Sequence, residues 1–189
     1  MTKSKHLTVS VERYEIEGLI GIKPTVHGDA RGAFAEVWRE NLYAEVLPAV
    51  TFCQANVSVS SQGVLRGLHF QKQFPQAKLV TVLDGTIFDV AVDLRPESST
   101  FGRWVGVTLK PFEQFFIPEG FAHGFLCLSE KAVIGYRCSD YYHPEDEGSI
   151  HYADSDLAIA WPEMKHLTLS AKDARAPSFQ SFCQSLKNL

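Results

Sequence analysis

Residues 63–71 bring two side chains that can do chemistry into a stretch that otherwise has the composition of a β-strand. The stretch reads Gly-Val-Leu-Arg-Gly-Leu-His-Phe-Gln, so Arg66 and His69 stand among apolar residues. A guanidinium and an imidazole are costly to bury unless each has a partner or a task. One interpretation makes His69 a hydrogen-bonded core histidine. The other makes it an acid–base group beside a bound anion.

A second histidine ends the motif at 118–123, which reads Pro-Glu-Gly-Phe-Ala-His. Together with Gly63 and the histidine six positions after it, this segment resembles the paired motifs of cupins, which are small jelly-roll barrels. Metal-binding cupins usually present three histidines and one carboxylate from these two motifs. Here Gln71 stands where a second histidine is expected, and no glutamate follows before Lys78. Two imidazoles near an ammonium make a poor site for a divalent ion, so we expect no metal and favour acid–base chemistry.

The elements that must position these groups are predicted to be strands. Turn signals recur about every ten residues, which predicts an all-β sandwich or barrel. Short β-prone pieces occur within 7–26, and a turn at Asp84-Gly85 predicts a hairpin between the strands that flank it. The remaining predicted strands lie at 33–38, 52–60, 78–83, 86–94, 104–109, 114–117, 124–128 and 132–138.

Other segments are predicted as helices or surface connections. The spacing at 40–47 is that of a short helix stopped by Pro48, and 179–186 has the pattern of a terminal helix. The polar residues 142–156 are expected to wrap outside the barrel.

One strand has a polar face in the middle of the chain. Alternation in 52–60 places Gln54, Asn56 and Ser58 on the same face. That face is either the wall of a polar cavity or a solvated outer surface, and the pattern alone does not distinguish them.

Length and charge limit the class of protein. A chain of 189 residues fits one domain, 1–189, with a loose start at 1–6 and a peripheral terminal segment at 178–189. A formal charge of -4 argues against a nucleic-acid-binding protein, although a few converging cations can still hold a phosphate. The cysteines lack metal-site spacing, the start lacks a signal peptide's apolar core, and no apolar run is long enough to span a membrane. We therefore expect a cytoplasmic protein with no nucleic-acid or membrane partner.

Nine short motifs follow one another within 17–177. They are Asp29-x-Arg31-Gly32-x-Phe34-x-Glu36, Gln54-x-Asn56-x-Ser58, Arg66-Gly67-Leu68-His69-x-Gln71, Lys78-Leu79-Val80, the run from Asp89 to Arg95, the run from Pro118 to Phe125, Tyr136, Tyr141-Tyr142 and Ser170-Ala171-Lys172-Asp173. In this order they resemble the dTDP-4-dehydrorhamnose 3,5-epimerase family. Each motif is weak alone, but nine in order over most of a domain are specific.

The resemblance implies an all-β fold, a cupin-type jelly-roll barrel with short peripheral helices, in a homodimer that needs no metal or organic cofactor. It implies inversion of C3 and C5 of dTDP-4-dehydro-6-deoxy-D-glucose, a dTDP-4-keto-6-deoxyhexose, to give dTDP-4-dehydro-L-rhamnose on the route to dTDP-L-rhamnose. Protons beside a ketone can be removed because the resulting carbanion delocalises onto oxygen as an enolate. Epimerisation then requires a base on one face, a proton donor on the other, and a cation at the oxygen.

The catalytic roles are carried over by the same resemblance. His69 is the expected base, and Asp173 is expected to hold its imidazole in the right tautomer. Lys78, helped by His123, is expected to stabilise the enolate oxygen. Tyr136 is expected to return the proton from the opposite face.

The resemblance also assigns eight substrate-binding residues. They are three cations near the diphosphate or sugar, four hydrogen-bonding groups and one aromatic ring stacked on thymine: Arg31, Arg66 and Lys172; Glu36, Gln54, Asn56 and Glu147; Tyr142. Arg31 and Glu36 belong to an N-terminal portion that, in this family, tends to complete the partner's site. The expected dimer is therefore functional as well as structural.

Two positions depart from the family pattern and leave alternatives open. His27 stands where the family often has phenylalanine beside the nucleotide, and Arg137 stands where lysine more often follows the tyrosine. We also expect Asp89 to orient His123. The alternative functions are epimerisation at C3 or C5 only, a metal-dependent cupin, and a non-catalytic sugar-binding jelly roll.

Overall fold

Residues 9–187, the part of the chain that the computed structural model describes, form thirteen strands, two α-helices and one 3₁₀ turn. The strands are β1 (Val9–Arg13), β2 (Ile20–Pro24), β3 (Val26–Asp29), β4 (Gly32–Ala35), β5 (Gln54–Ser61), β6 (Leu65–Gln71), β7 (Lys78–Asp84), β8 (Ile87–Asp93), β9 (Trp104–Leu109), β10 (Gln114–Ile117), β11 (Phe121–Cys127), β12 (Lys131–Cys138) and β13 (Glu147–Ser149). The helices are α1 (Glu40–Tyr43) and α2 (Phe179–Leu186), and the 3₁₀ turn is Asp173–Arg175.

The strands form two main sheets and one separate hairpin. The six-stranded sheet has the order β1-β2-β10-β7-β12-β5, and the five-stranded sheet has the order β13-β6-β11-β8-β9. Strands β3 and β4 pair only with each other. The all-β prediction is confirmed, and two antiparallel sheets packed face to face are the architecture of a jelly roll.

Apolar side chains fill the space between the sheets and also cover their outer faces. Val80, Phe115 and Phe125 belong to the central cluster. The outer face of the five-stranded sheet packs against Phe182 of α2, and that of the six-stranded sheet packs against the region of Tyr43. Because the central strands are buried on both faces, they consist of nearly continuous apolar residues. Each large apolar side chain buried in this way contributes about 1.5–3 kcal/mol.

The predicted hairpin at Asp84-Gly85 is wrong. Strand β7 pairs with β10 and β12, whereas β8 pairs with β9 and β11 in the other sheet. The turn is a corner between sheets, where Gly85 has a φ of 83° and a Cβ would lie 2.1 Å from the Lys131 carbonyl oxygen. An Asp-Gly pair satisfies either connection, since both need a residue with positive φ.

Several predicted boundaries also change. The strand expected at 33–38 ends at Ala35. The helix expected at 40–47 is shorter than predicted and spans only Glu40–Tyr43. Residues 142–156 do more than wrap outside, because β13 pairs with β6 in the five-stranded sheet. The terminal helix at 179–186 is confirmed as α2, and no helix within 9–187 is long and apolar enough to cross a membrane. The loose start expected at 1–6 lies outside the described residues.

The end of β8 is anchored by the buried carboxylate of Asp93. Arg95 donates two hydrogen bonds to it from its side chain and one from its backbone N–H, and the hydroxyls of Ser98 and Thr100 each donate one. Burial alone would raise the pKa of Asp93, but these hydrogen bonds outweigh burial and lower the pKa to about 2. This network fixes the loop from β8 to β9. The other aspartate of β8, Asp89, is hydrogen-bonded to a histidine instead.

Candidate active site

A cavity of about 470 Å³ opens between the two sheets. Strands from both sheets line it, together with the segments around 142–147 and 170–173. Its wall consists of Gln54, Asn56, Val57, Ser58, Arg66, His69, Gln76, Lys78, His123, Phe125, Tyr136, Cys138, Tyr142, Glu147, Ser170, Lys172 and Asp173. The polar face of β5 is therefore a cavity wall.

The cavity brings together every site residue predicted from the sequence except two. Arg31 is at the tip of the β3–β4 hairpin, where it pairs with Asp29 at 2.5 Å and its side chain is 90% exposed. Glu36 accepts a hydrogen bond from Arg39 at 2.6 Å. Neither side chain reaches the cavity of its own chain.

Strands β6 and β11 place two histidines side by side. His69 and His123 are directly paired in the antiparallel register. Gly67 permits the close approach, since a Cβ there would lie 2.7 Å from the His123 carbonyl oxygen and 2.5 Å from the Gly124 Cα. Gly67 also has a φ of 117°, a conformation that favours glycine.

His69 is paired with a carboxylate from the far end of the chain. Its Nε2 lies 2.6 Å from Oδ1 of Asp173, whose side chain is only 3% exposed. The Ser170 hydroxyl accepts a hydrogen bond from the Asp173 backbone N–H at 3.0 Å and so holds the turn that presents this carboxylate. His69 Nδ1 is 4.0 Å from Glu147 Oε1, which is beyond hydrogen-bonding distance.

His123 has a carboxylate partner of its own. Its Nε2 lies 2.8 Å from Oδ1 of Asp89, and both side chains are buried. The other oxygen of Asp89 is buried without a hydrogen-bond partner among the described residues. Leaving such an oxygen unpaired costs free energy unless a further hydrogen-bond donor arrives. The two histidines of the cavity are thus each paired with a different carboxylate, His69 with Asp173 and His123 with Asp89.

Lys78 supplies an ammonium group to the cavity wall. Its side-chain nitrogen has no hydrogen-bond or ion-pair partner among the described residues. Its backbone is paired with that of Cys138 in the neighbouring strand. Burial lowers the pKa of Lys78, while the acidic groups of Cys138, Glu147 and Asp89 act in the opposite direction. An oxyanion entering the cavity would favour the charged form of this poorly solvated amine.

Tyr136 stands on the opposite wall from His69. It belongs to β12 of the six-stranded sheet, whereas His69 belongs to β6 of the five-stranded sheet. Its hydroxyl lies 2.9 Å from the Ser58 hydroxyl. Burial raises the pKa of Tyr136 above its usual value, an effect that the Ser58 hydrogen bond only partly offsets, so the phenol keeps its proton at neutral pH.

The mouth of the cavity combines cations with an aromatic ring. The Tyr142 hydroxyl donates to Glu147 Oε2 at 2.9 Å, and Lys172 forms an ion pair with the same oxygen. Burial would raise the pKa of Glu147, but Lys172 and Tyr142 lower it below its usual value. Arg66 lies on the neighbouring wall and donates through Nε to the Ser60 hydroxyl at 3.1 Å.

Six residues of the cavity wall had no predicted role, and two of them, Ser58 and Ser170, hydrogen-bond to residues that did. Alternation with Gln54 and Asn56 placed Ser58 on the polar face of its strand, but the sequence did not predict its hydrogen bond to Tyr136. Ser170 stands three positions before Asp173, and this Ser-x-x-Asp spacing is a helix-capping signal. Within 9–187, no three His, Cys, Asp or Glu side chains gather in a way that could hold a metal ion.

Comparison with known proteins identifies similar sequences over most of the chain. The family model described as dTDP-4-dehydrorhamnose 3,5-epimerase matches residues 13–181. A protein of that name from Methanothermobacter thermautotrophicus is 51% identical over 162 residues, which are 84% of this chain and 88% of that protein.

Solved structures of epimerases are also similar to this chain in sequence and fold. A dTDP-6-deoxy-D-glucose-3,5-epimerase from Legionella pneumophila, crystallised with dTDP-4-keto-L-rhamnose, is 49% identical and superposes with a TM-score of 0.91 over 95% of this chain and 97% of that one. A 3′-monoepimerase from Streptomyces bikiniensis, crystallised with dTDP-quinovose, is 35% identical with a TM-score of 0.84 over 93% and 90%. The similarity thus extends over nearly the whole length of each protein.

Proposed function

Because the chain belongs to the dTDP-4-dehydrorhamnose 3,5-epimerase family, we propose that it is an isomerase that inverts C3 and C5 of dTDP-4-dehydro-6-deoxy-D-glucose. The product is dTDP-4-dehydro-L-rhamnose, a precursor of dTDP-L-rhamnose. The observation that carries this proposal is the placement of His69 and Tyr136 on opposite walls of one cavity, with the Lys78 ammonium between the sheets.

Proton removal is assigned to His69. Asp173 accepts a hydrogen bond from Nε2, which leaves the lone pair on Nδ1 as the base. The same carboxylate stabilises the imidazolium that forms when the proton arrives, in the manner of the Asp–His pair in hydrolases. Asp173 is a positioning residue in this scheme, because it acts through His69.

The electron pair that stays behind when the proton is removed delocalises from carbon onto the C4 oxygen, which becomes an enolate. Lys78 and His123 face the cavity and are the groups available to stabilise this enolate. The poorly solvated ammonium of Lys78 gains more from an adjacent anion than an exposed one would. Asp89 holds His123 by its Nε2 and thereby fixes the ring that supports the oxygen.

Reprotonation is assigned to Tyr136. Its raised pKa keeps the phenol protonated at neutral pH, so that it holds a proton to donate, and it approaches the sugar from the sheet opposite His69. A proton removed from one face and returned to the other inverts the carbon. Ser58 supports the phenol in the position from which it donates.

The remaining cavity residues suit a nucleotide sugar. Arg66 and Lys172 are cations for the diphosphate, and Tyr142 offers a half-exposed ring on which thymine can stack. Gln54 and Asn56 of β5 and Glu147 of β13 supply further hydrogen-bonding groups to the cavity.

A homodimer explains why Arg31 and Glu36 lie away from the cavity. The β3–β4 hairpin that carries Arg31 exposes Phe34, whose relative accessibility is 66%. Strand β5 also exposes two large apolar residues, Val57 at 65%, which borders the cavity, and Val59 at 59%. Large exposed apolar side chains of this kind occur at interaction surfaces. We propose that the hairpin of one chain reaches the cavity of its partner.

Mixing two inactive variants tests this arrangement. Arg31→Ala is expected to lower turnover at subsaturating substrate by about 30-fold or more, because a charge that pairs with the substrate is lost, while His69→Ala removes the base. In a mixed dimer one of the two sites keeps both groups, so the purified mixed dimers should have about half of the parent rate. Co-expression of differently tagged chains and assay of the purified mixed dimers measure this. If Arg31 serves its own chain, the mixed dimers are no more active than the mean of the two variants.

The cellular setting follows from the same proposal. Four free cysteines, one of them in the cavity wall, suit a reducing compartment. We propose a single-domain cytoplasmic enzyme that uses no metal or organic cofactor.

Incubation with dTDP-4-dehydro-6-deoxy-D-glucose in D₂O tests the function. We expect deuterium at both C3 and C5 and a rate unchanged by chelators. Deuterium at a single carbon would favour a mono-epimerase like the Streptomyces bikiniensis protein. No deuterium would overturn both, and activity that is lost to a chelator and restored by a divalent ion would favour the metal-dependent alternative.

A further inference from the structure

We infer that Gln71 is a positioning residue for nucleotide binding, because its side chain clamps the backbone on both sides of Tyr142. This inference rests on the proposed function, in which Tyr142 carries the thymine. The proposed function assigns no role to Gln71, which is buried at the end of β6, two residues beyond His69.

The side-chain amide of Gln71 is bonded to main-chain groups that bracket Tyr142. Nε2 donates to the Tyr141 carbonyl oxygen at 3.2 Å, and Oε1 accepts from the His143 N–H at 2.7 Å. The second proton of Nε2 is donated to the Phe74 carbonyl oxygen at 2.5 Å. One amide thus reproduces the donor–acceptor pair that a neighbouring strand would offer, in a segment that belongs to no strand.

Apart from this clamp, the backbone of Tyr142 makes one hydrogen bond within 9–187. Its own N–H is donated to Gln54 Oε1 at 3.0 Å, and the residue as a whole is 48% exposed. Beyond the hydroxyl contact to Glu147, no ring or hydrogen-bond contact of the Tyr142 side chain occurs within 9–187. A half-exposed ring gains little orientation from packing, so the position of its backbone decides where the face of the ring stands.

A ring held in place before the ligand arrives binds more tightly than one that must be ordered during binding. Loss of the clamp should therefore weaken nucleotide binding while leaving the reacting groups intact. The expected signature is a higher Kd for dTDP and a higher KM with little change in kcat. A role confined to folding would instead reduce the fraction of active protein, which lowers kcat and leaves KM unchanged.

The experiment compares Gln71→Ala with the nearly isosteric Gln71→Glu, which cannot donate to either carbonyl. Calorimetric titration with dTDP is expected to show affinity reduced about tenfold in both variants, with kcat within about twofold of the parent. Gln62→Ala is the matched control, because that amide also donates to a backbone carbonyl, of Leu128, but lies outside the cavity. If Gln71→Ala does not yield folded protein, Gln71→Glu carries the test.

A double variant separates this inference from the function on which it rests. With Tyr142 already replaced by alanine, Gln71→Ala should weaken dTDP binding no further, because the ring that the clamp positions is gone. Unchanged dTDP affinity in the Gln71 variants, or full additivity with Tyr142→Ala, would overturn the inference and leave the function standing. A parent protein that binds no dTDP would overturn the proposed function itself.

Discussion

Replacing His69 with alanine is expected to abolish both deuterium exchange and inversion while leaving dTDP binding nearly intact. The imidazole is the proposed base, and a positioned acid–base group contributes about 10²–10⁴-fold. Binding should persist because Arg66, Lys172 and Tyr142 remain in place at the cavity wall. Proton NMR in D₂O measures exchange at C3 and C5, and calorimetry with dTDP measures binding.

Two further variants make the His69 result interpretable. Alanine leaves the Asp173 carboxylate buried without its partner, which destabilises the protein. His69→Asn keeps a hydrogen-bond donor at this position but no base, so it should be as inactive as alanine and more stable. His166→Ala, at an exposed histidine outside the cavity, should retain the parent rate. Turnover of His69→Ala near the parent rate would show that another group is the base.

Replacing Tyr136 with phenylalanine is expected to separate exchange from inversion. Only the hydroxyl is lost, so the cavity keeps its shape while the proton donor of the β12 wall disappears. Inversion should fall by about 10²–10⁴-fold. His69 can still remove a proton and, after exchange with solvent, return deuterium to the same face. Deuterated substrate of unchanged configuration should therefore accumulate.

The configuration of the deuterated sugar is the decisive measurement for Tyr136. NMR coupling constants around the ring distinguish retained from inverted carbons, and Tyr152→Phe, at a tyrosine outside the cavity, is the control. Equal loss of exchange and inversion would mean that Tyr136 is needed for proton removal as well. Inversion by Tyr136→Phe at the parent rate would contradict its assignment as the proton donor. Together with the His69 variants, this assigns one role to each wall of the cavity.

Local patterns predicted much of the secondary structure. The strands expected at 104–109 and 114–117 coincide with β9 and β10, and the helix expected at 179–186 coincides with α2. These elements depend on periodicity and turn residues within a few positions, which a sequence displays directly. The same reasoning failed at Asp84-Gly85, because a corner between sheets and a hairpin use the same turn chemistry.

The candidate site was predictable in composition rather than in arrangement. Motif order identified the groups that line the cavity, including His69 and Asp173, which are 104 positions apart and meet at 2.6 Å. Their roles stay predictions until the variants are measured. Alternation placed Ser58 on the right face of β5 but could not reveal Tyr136 as its partner, since that contact crosses between strands 78 positions apart.

The sequence by itself determined the chemical types and the strand faces, because these follow from residue identity and a period of two. Tertiary structure alone decided which faces meet. It turned the polar face of β5 inward, set His69 and Tyr136 on opposite sheets, and left Arg31 at an exposed hairpin tip. Tertiary structure also decided the role inferred for Gln71. The sequence showed only that an amide stands where a ligand histidine is expected. In the folded chain that amide hydrogen-bonds to the backbone on both sides of Tyr142. Contacts between distant segments depend on how the sheets pack, and no local pattern contains that information.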